Sequence, residues 1–124
     1  MRRVITAEQG AKPAGPYSHA IAARGTFLYV SGQGPVNPGT GVAPADFREA
    51  AAQTLRNVQT IVEAAGGTLA DVVKVNAYLR DMQDFAAFNE IYRTFFSASY
   101  PARTTVQSDL NIPLEIDVVA VLPE

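Results

Sequence analysis

The stretch DFREAAAQTLRNVQTIVEAAGG, residues 46–67, has the hydrophobic period of an amphipathic helix, and the rest of the fold is organised around it. Apolar or small residues recur at intervals of three and four, at Phe47, Ala50, Ala51, Thr54, Leu55, Val58, Ile61, Val62 and Ala65. Asp46 suits the N-cap position, with Glu49 three residues later, and Gly66 and Gly67 are typical of a helix end. The pattern therefore predicts one helix with a single apolar stripe.

The next segment, DVVKVNAYL at residues 71–79, alternates in the manner of a strand with one buried face. Its helix-facing set is expected to run from Val73 to Leu79, and its opposite set to include Val72 and Tyr78. A second helix should follow Asp84, its expected cap, with an apolar stripe at Phe85, Phe88, Ile91, Tyr92, Phe95 and Phe96. We interpret this stripe as packing on a sheet rather than as part of a cofactor site.

Further strands are predicted on both sides of this segment. The sequence AIAARGTFLYVSG, residues 20–32, reads as two short strands that join at Arg24-Gly25, and a short strand is also expected at Val4-Ile5. Strands at residues 102–108 and 114–122 close the chain. Because each helix has one apolar stripe, the order predicts an α+β fold, a mixed sheet with two helices on one face, in a single domain of residues 1–124.

The composition excludes several classes of function. The chain has 10 Lys and Arg against 12 Asp and Glu and no basic run, so we expect no nucleic-acid partner. With no cysteine and one histidine, His19, a Cys-based zinc site, a multi-His metal site and thiolate catalysis are excluded, and we expect no cofactor. The first residues resemble neither a signal peptide nor a membrane span, and we expect a cytoplasmic location.

The last two strands bring charged residues together. If they form a hairpin whose apolar sets align, Thr104 and Val106 lie under the helices. The residues then expected on the uncovered face of the sheet are Arg103, Thr105, Gln107, Glu115 and Asp117. That face continues into Val119 and Val121, so it is either solvated or a subunit interface that encloses polar sites.

An arginine and a glutamate on one face allow two interpretations. The guanidinium of Arg103 could hold a carboxylate in two parallel hydrogen bonds, as an α-amino, α-imino or α-keto acid would require. Glu115 could orient or deprotonate a water. Alternatively, the two residues form a structural cross-strand salt bridge of little energetic value.

Four stretches in series resemble the RidA family, also called YjgF, of reactive-intermediate deaminases. They are GPYSHA (15–20), LYVSGQGPVNPGTG (28–41), NVQTIVEAAGGTLADVVKVNAYLRDMQDFAAFNEIYRTFF (57–96), and PARTTVQ (101–107) followed by LEIDVVAV (114–121). The resemblance implies a chorismate-mutase-like fold, assembled as a homotrimer around a central β-barrel with sites in the subunit clefts. It also implies an enzyme that hydrolyses 2-aminoacrylate, 2-iminobutanoate and related imino acids, which pyridoxal-phosphate enzymes release, to 2-oxo acids and ammonia.

The resemblance also assigns roles to residues of this chain. Arg103 matches the arginine that grips the substrate carboxylate, and Glu115 matches the acidic residue that positions or activates the attacking water. The positions that line the cleft in relatives are Tyr17, Ser31, Gly32, Asn89 and Thr105. The implied role of Tyr17 is packing on the substrate side chain, Ser31, Gly32 and Asn89 are implied to form hydrogen bonds, and Thr105 replaces a frequent cysteine.

Departures from the family pattern leave substrate preference open. The connection from Gln107 to Glu115 is shorter than usual and lacks Arg-Leu-Pro, and Asp117 stands where a second glutamate is common. One alternative function is a non-catalytic trimer that binds small carboxylates or acts as a chaperone. Another is a ribonuclease or translation inhibitor, which the acidic charge disfavours. His19 is expected to be a surface or hydrogen-bonded histidine rather than a catalytic one.

Overall fold

A computed structural model of the protein describes all 124 residues. The elements in chain order are β1 (Arg2–Ile5), β2 (Ala20–Ala23), β3 (Thr26–Gln33), α1 (Phe47–Ala64), β4 (Val72–Leu79), α2 (Phe85–Phe95), β5 (Ala102–Gln107) and β6 (Leu114–Leu122). Short 3₁₀ turns at Leu69–Asp71 and Met82–Asp84 precede β4 and α2. None of the helices is both long and apolar enough to cross a membrane.

The ends of α1 follow from its sequence. The Asp46 carboxylate accepts a hydrogen bond from the Glu49 N–H at 3.0 Å, which satisfies one of the free amides of the first turn. At the other end Gly66 has a φ of +92°, and the Gly67 N–H donates to the Val62 carbonyl at 3.1 Å. The predicted helix is confirmed. At α2 Asp84 occupies the N-cap position as predicted, but its side chain makes no capping hydrogen bond.

The four long strands form a mixed sheet in the order β3-β6-β4-β5. β4 and β5 run parallel, with α2 as the crossover between them, and the other neighbours are antiparallel. Both helices cover one face, so that Leu55 of α1, Tyr92 of α2 and Ile116 of β6 belong to one buried core. The predicted α+β arrangement is confirmed. β1 and β2 form a separate two-stranded ribbon.

The predicted hairpin between the last two strands was wrong, because β4 lies between β5 and β6. α2 carries the chain across the sheet before β5 begins, and β5 therefore aligns with β4. In this register Arg103 is opposite Val75 and Thr105 is opposite Ala77, both of which face the helices. Arg103 and Thr105 therefore lie on the helix side of the sheet, and not on the uncovered face with Glu115.

Two irregularities change which side chains face the core. A register shift around Val73 puts Val72 in the core opposite Ala120, which corrects the expectation that Val72 lies on the uncovered face. In β3 the register shifts between Val30 and Gln33, where three steps along β3 match two along β6. The extra residue forms a β-bulge at the Ser31-Gly32 step.

The uncovered face of the sheet carries both apolar and polar side chains. Phe27 and Tyr29 lie opposite Val121 and Val119, which are on this face of β6, and they are 44% and 76% exposed. Val106 at the β5 edge is 44% exposed. Exposed aromatic and aliphatic side chains on one sheet face are typical of a surface that another protein covers.

Candidate active site

Arg103 lies at the start of β5 in a ring of aromatic side chains. The distances from its Cζ to the ring centroids are 4.9 Å for Tyr92, 5.5 Å for Phe88, 5.8 Å for Phe85 and 5.9 Å for Tyr17. Three of these rings belong to α2, and Tyr17 reaches the guanidinium from the segment before β2. Such contacts stabilise a cation and fix the plane of its donors.

The charge of Arg103 has no partner within the chain. The ion pair of the protein is the exposed Arg48–Glu90 contact at 2.6 Å, and no carboxylate reaches Arg103. Its Nη1 is buried without a hydrogen-bond acceptor. Burial lowers the pKa of Arg103, which the nearby Tyr92 and Tyr17 hydroxyls oppose, but an arginine keeps its charge at neutral pH. Arg103 is half-buried, and a cation that is partly removed from water without a partner is costly, so this position is suited to an anion.

Other polar atoms beside Arg103 also lack partners. Asn89 Oδ1, Tyr92 Oη and Thr105 Oγ1 are buried without hydrogen bonds inside the chain. Burial raises the pKa of Tyr92, and the Arg103 charge opposes that shift, so the hydroxyl remains a donor at neutral pH. We use the name arginine pocket for the cluster of Tyr17, Asn89, Tyr92, Arg103 and Thr105; the two cavities found within one chain are lined by other residues. It combines one cation with donors and acceptors that an incoming carboxylate or amine could pair with.

The backbone before Tyr17 forms one wall of the arginine pocket. A methyl group built on Gly15 would lie 3.6 Å from Arg103 Nη2, 3.7 Å from Tyr17 Cε2 and 3.8 Å from Asn89 Nδ2. A side chain at position 15 would therefore point at three members of the pocket and contact all of them. The GPYS motif contributes a wall as well as a turn.

Glu115 lies on the uncovered face of the sheet, opposite Tyr78 of β4. A methyl group on Gly32 would lie 2.8 Å from Glu115 Cδ, 3.1 Å from its Cγ, and closer still to Oε2. The bulge of β3 therefore brings the Gly32 backbone against this carboxylate, and any side chain there would displace it. Ser31, Gly32 and Glu115 form the second polar cluster, which we call the glutamate cluster.

The neighbours of Glu115 are also polar. Asn76 Nδ2 donates to Asp117 Oδ1 at 2.8 Å, which holds that carboxylate beside Tyr78. Burial raises the pKa of Tyr78, and the Asp117 and Glu115 carboxylates add to the shift. Tyr78 therefore stays a neutral phenol next to two carboxylates.

The structure thus divides the predicted site residues into two groups. Tyr17, Asn89, Arg103 and Thr105 belong to the arginine pocket on the helix side, whereas Ser31, Gly32 and Glu115 belong to the glutamate cluster on the uncovered face. The expectation that Arg103 and Glu115 share a face of one sheet was wrong. An intramolecular salt bridge between them is excluded as well.

The sequence reading did not assign Phe85, Phe88 and Tyr92 to the site. They were interpreted as a packing stripe, and Phe88 and Tyr92 do belong to the core, yet they also enclose the guanidinium. Tyr92, in an otherwise apolar stripe, could have indicated a polar site, because a buried phenol needs a hydrogen-bond partner.

The chain is thus an α+β domain with helices on one face of a mixed sheet and a half-buried arginine that has no anionic partner within the chain. Residues 7–122, almost the entire chain, match the family model described as Endoribonuclease L-PSP. The chain belongs to this family, which is also called the RidA or YjgF family.

Relatives cover the chain from end to end. A RutC family protein of Pyrococcus horikoshii is 44% identical over 97% of this chain and 98% of its own. The 2-iminobutanoate/2-iminopropanoate deaminase of Escherichia coli is 39% identical over 98% of both chains. The solved structure of E. coli TdcF with bound serine is 38% identical, with a TM-score of 0.76 over 98% of this chain and 99% of that one.

Proposed function

We propose that this protein hydrolyses 2-imino acids, with their enamine tautomers such as 2-aminoacrylate, to 2-oxo acids and ammonia. The observation that carries the proposal is the half-buried guanidinium of Arg103, which has no carboxylate within the chain and whose buried Nη1 is unpaired. A 2-imino acid supplies the missing carboxylate and places its imine carbon one bond away from it. The deaminase relative at 39% identity supports this reaction class.

We propose further that the complete site forms between two subunits of a homotrimer. Within one chain Arg103 and Glu115 lie on opposite sides of the sheet, so one molecule cannot present both to the same substrate. The partly exposed Phe27, Tyr29 and Val106 lie on the same uncovered face as Glu115, and burying them would stabilise an assembly. The neighbouring subunit would then bring its arginine pocket against the glutamate cluster.

In the proposed reaction Arg103 binds the substrate carboxylate in a bidentate geometry and fixes the imine carbon. Glu115 orients a water and accepts one of its protons as the water oxygen bonds to that carbon. The π electrons of the C=N bond move to nitrogen, which takes the proton held by Glu115. The hydroxyl group of the resulting carbinolamine then passes its proton through Glu115 to the amine nitrogen, the C–N bond breaks as the C=O bond forms, and ammonia departs.

The remaining residues have supporting roles in this proposal. Asn89 Oδ1 and Thr105 Oγ1 lack partners in the chain and are available to the substrate nitrogen or to water. Ser31 and Gly32 at the bulge offer hydrogen bonds beside the Glu115 carboxylate. Tyr17 packs on the substrate and excludes bulk water. Serine bound to TdcF has the same carboxylate and adjacent nitrogen-bearing carbon that this site requires.

The test is a coupled assay in which a threonine or serine dehydratase generates the imine and the appearance of the 2-oxo acid is followed. Wild type should accelerate the imine's decay, and Arg103→Ala and Glu115→Ala should not. The matched controls are Arg48→Ala and Glu90→Ala, which remove an exposed arginine and an exposed glutamate and should behave as wild type.

Two outcomes would overturn the proposal. If wild type binds 2-oxo acids but accelerates no imine, the protein is a carboxylate-binding trimer without turnover. If light scattering gives a monomer near 13.2 kDa at assay concentration with full activity, the two-subunit site is wrong.

A further inference from the structure

The segment between β1 and β2, residues 6–19, carries a wall of the arginine pocket without being helix or strand. Its end holds Gly15 against Arg103 and Asn89, and the Tyr17 ring 5.9 Å from the guanidinium. A segment of this length needs internal hydrogen bonds to keep one conformation. Two of those bonds are made by the one histidine of the chain, His19.

Both ring nitrogens of His19 are hydrogen-bonded to backbone groups of this segment. The Ala7 N–H donates to Nδ1 at 3.0 Å, and Nε2 donates to the Ala11 carbonyl at 2.5 Å. The first bond requires a bare Nδ1, and the second requires a proton on Nε2. The neutral Nε2–H tautomer is therefore the one form of the ring that makes both bonds.

The residue before His19 joins the segment to the strand that carries the arginine. The Ser18 N–H donates to the Pro101 carbonyl at 3.2 Å, and Ser18 Oγ donates to the Tyr100 carbonyl at 2.5 Å. Pro101 stands two residues before Arg103. On the other side of Ser18, the Ala14 N–H donates to Tyr17 Oη at 3.0 Å. Three consecutive residues, 17–19, thus tie the wall to itself and to the start of β5.

We propose that His19 is a positioning residue that holds the Gly15–Tyr17 wall over the arginine pocket, and that it does so in its neutral form alone. Protonation of Nδ1 would remove the acceptor for the Ala7 N–H and release residues 7–11 from the wall. The inference rests on the proposed function in assigning the arginine pocket to the substrate carboxylate. The inference adds to that site a wall whose position depends on the protonation of His19.

The charged groups of the segment are Glu8 and Lys12, which follow the two hydrogen-bond partners of His19 in the sequence. Neither forms an ion pair, and both are exposed. On the pocket side of the wall, the Arg103 guanidinium lies 5.9 Å from the Tyr17 ring, and Arg93 is a further positive charge near Arg103. No carboxylate is hydrogen-bonded to the ring, whose two partners are both backbone groups.

The test compares His19→Gln with His19→Ala. A glutamine offers one acceptor and one donor and can replace both bonds, whereas alanine replaces neither. With 2-oxobutanoate as the probe, His19→Ala should weaken binding by about tenfold, the order expected for lost hydrogen bonds that order a wall, and His19→Gln should restore it. In the deaminase assay the change should appear in KM more than in kcat, because His19 does not touch the reacting atoms.

The pH profile separates a neutral-form requirement from a general structural role. When acid places a proton on Nδ1 of His19, wild type should lose affinity for 2-oxobutanoate, and His19→Gln should not show that loss. Equal profiles for the two proteins would overturn the proposal. Wild-type affinity in His19→Ala would also overturn it.

Nuclear magnetic resonance provides a readout that does not depend on activity. Because the chain has one histidine, its two ring ¹⁵N signals are unambiguous, and Nδ1 should be unprotonated with Nε2 protonated. Amide exchange at Gly15 and Tyr17 should accelerate in His19→Ala and not in His19→Gln. If wild type binds no 2-oxo acid while these signals behave as stated, the proposed function fails, but the role of His19 in holding the wall stands. If amide exchange is unchanged in His19→Ala, the role of His19 is wrong.

Discussion

Replacement of Gly32 by alanine tests whether the bulge of β3 sets the position of the Glu115 carboxylate. The added methyl group would lie 2.8 Å from Glu115 Cδ, whereas ordinary carbon contacts begin near 3.4 Å. The carboxyl group must therefore retreat, and its nearer oxygen must move by roughly 1 Å. A displacement of that size at a reacting group can cost about 100-fold in rate.

We expect Gly32→Ala to lower kcat by about 100-fold while KM changes little, since Arg103 still binds the substrate carboxylate. The variant should fold, because Glu115 is only half-buried and can swing outward, at a cost of about 1–3 kcal/mol at most. Circular dichroism and light scattering check folding and assembly. The dehydratase-coupled assay gives kcat and KM.

The double variant Gly32→Ala/Glu115→Ala makes the test decisive. If the methyl group acts by displacing the carboxylate, removing that carboxylate first leaves nothing to displace, and the double variant should equal Glu115→Ala. Additive losses would refute this reasoning, because Gly32 would then act independently of Glu115. A Gly32→Ala protein with wild-type kcat would refute it as well.

Three further results follow from the site. Arg103→Lys should raise KM by about 10- to 100-fold in the coupled assay, since an ammonium cannot form the bidentate pair; an unchanged KM would contradict this role. Burial and the nearby carboxylates raise the pKa of Tyr78, so its neutral form stabilises the fold below about pH 10 and this contribution is lost as pH rises through the folded-state value. In Tyr78→Phe the decrease of Tm at alkaline pH should therefore be smaller than in wild type. An equally steep decrease would count against the raised pKa of Tyr78. Tyr92→Phe removes a buried hydroxyl with no partner in the chain and should leave Tm unchanged or higher. A free energy of unfolding lowered by more than about 1 kcal/mol would instead show that the hydroxyl has a hydrogen-bond partner.

Local sequence patterns were sufficient for the helices and for the α+β layering. Asp46 and the two glycines after α1 act within a few residues of each other, so their effect can be predicted without knowing the fold. Because each helix has a single apolar stripe, both helices were likewise expected to cover one face of the sheet. These features depend on contacts between neighbours along the chain or on simple burial.

The face of β5 could not be predicted in the same way. Alternation along Ala102–Gln107 shows which side chains share a face, but the partner strand decides which face that is. The polar Arg103 and Thr105 lie on the helix side because β5 pairs in parallel with β4, while the apolar Val106 is left exposed. An inward arginine contradicts a binary pattern, and such local conflicts are expected at functional sites.

The family resemblance supplied the candidate site residues, and the structure changes how they are expected to meet. Tyr17, Asn89 and Arg103 cluster within one chain, and Glu115 does not join them. Residue types and order along the chain could not reveal this separation, because it depends on the strand order of the folded sheet.

The most direct test of the two-subunit site is to mix Arg103→Ala and Glu115→Ala subunits. Each variant alone should be inactive. In a cyclic trimer, every mixed assembly contains one interface with both an intact arginine and an intact glutamate. Random mixing of equal amounts after unfolding and refolding should therefore restore about one quarter of the wild-type rate. Activity that stays at the level of the separate variants, in mixtures shown by mass spectrometry to contain mixed trimers, would contradict a site shared between subunits.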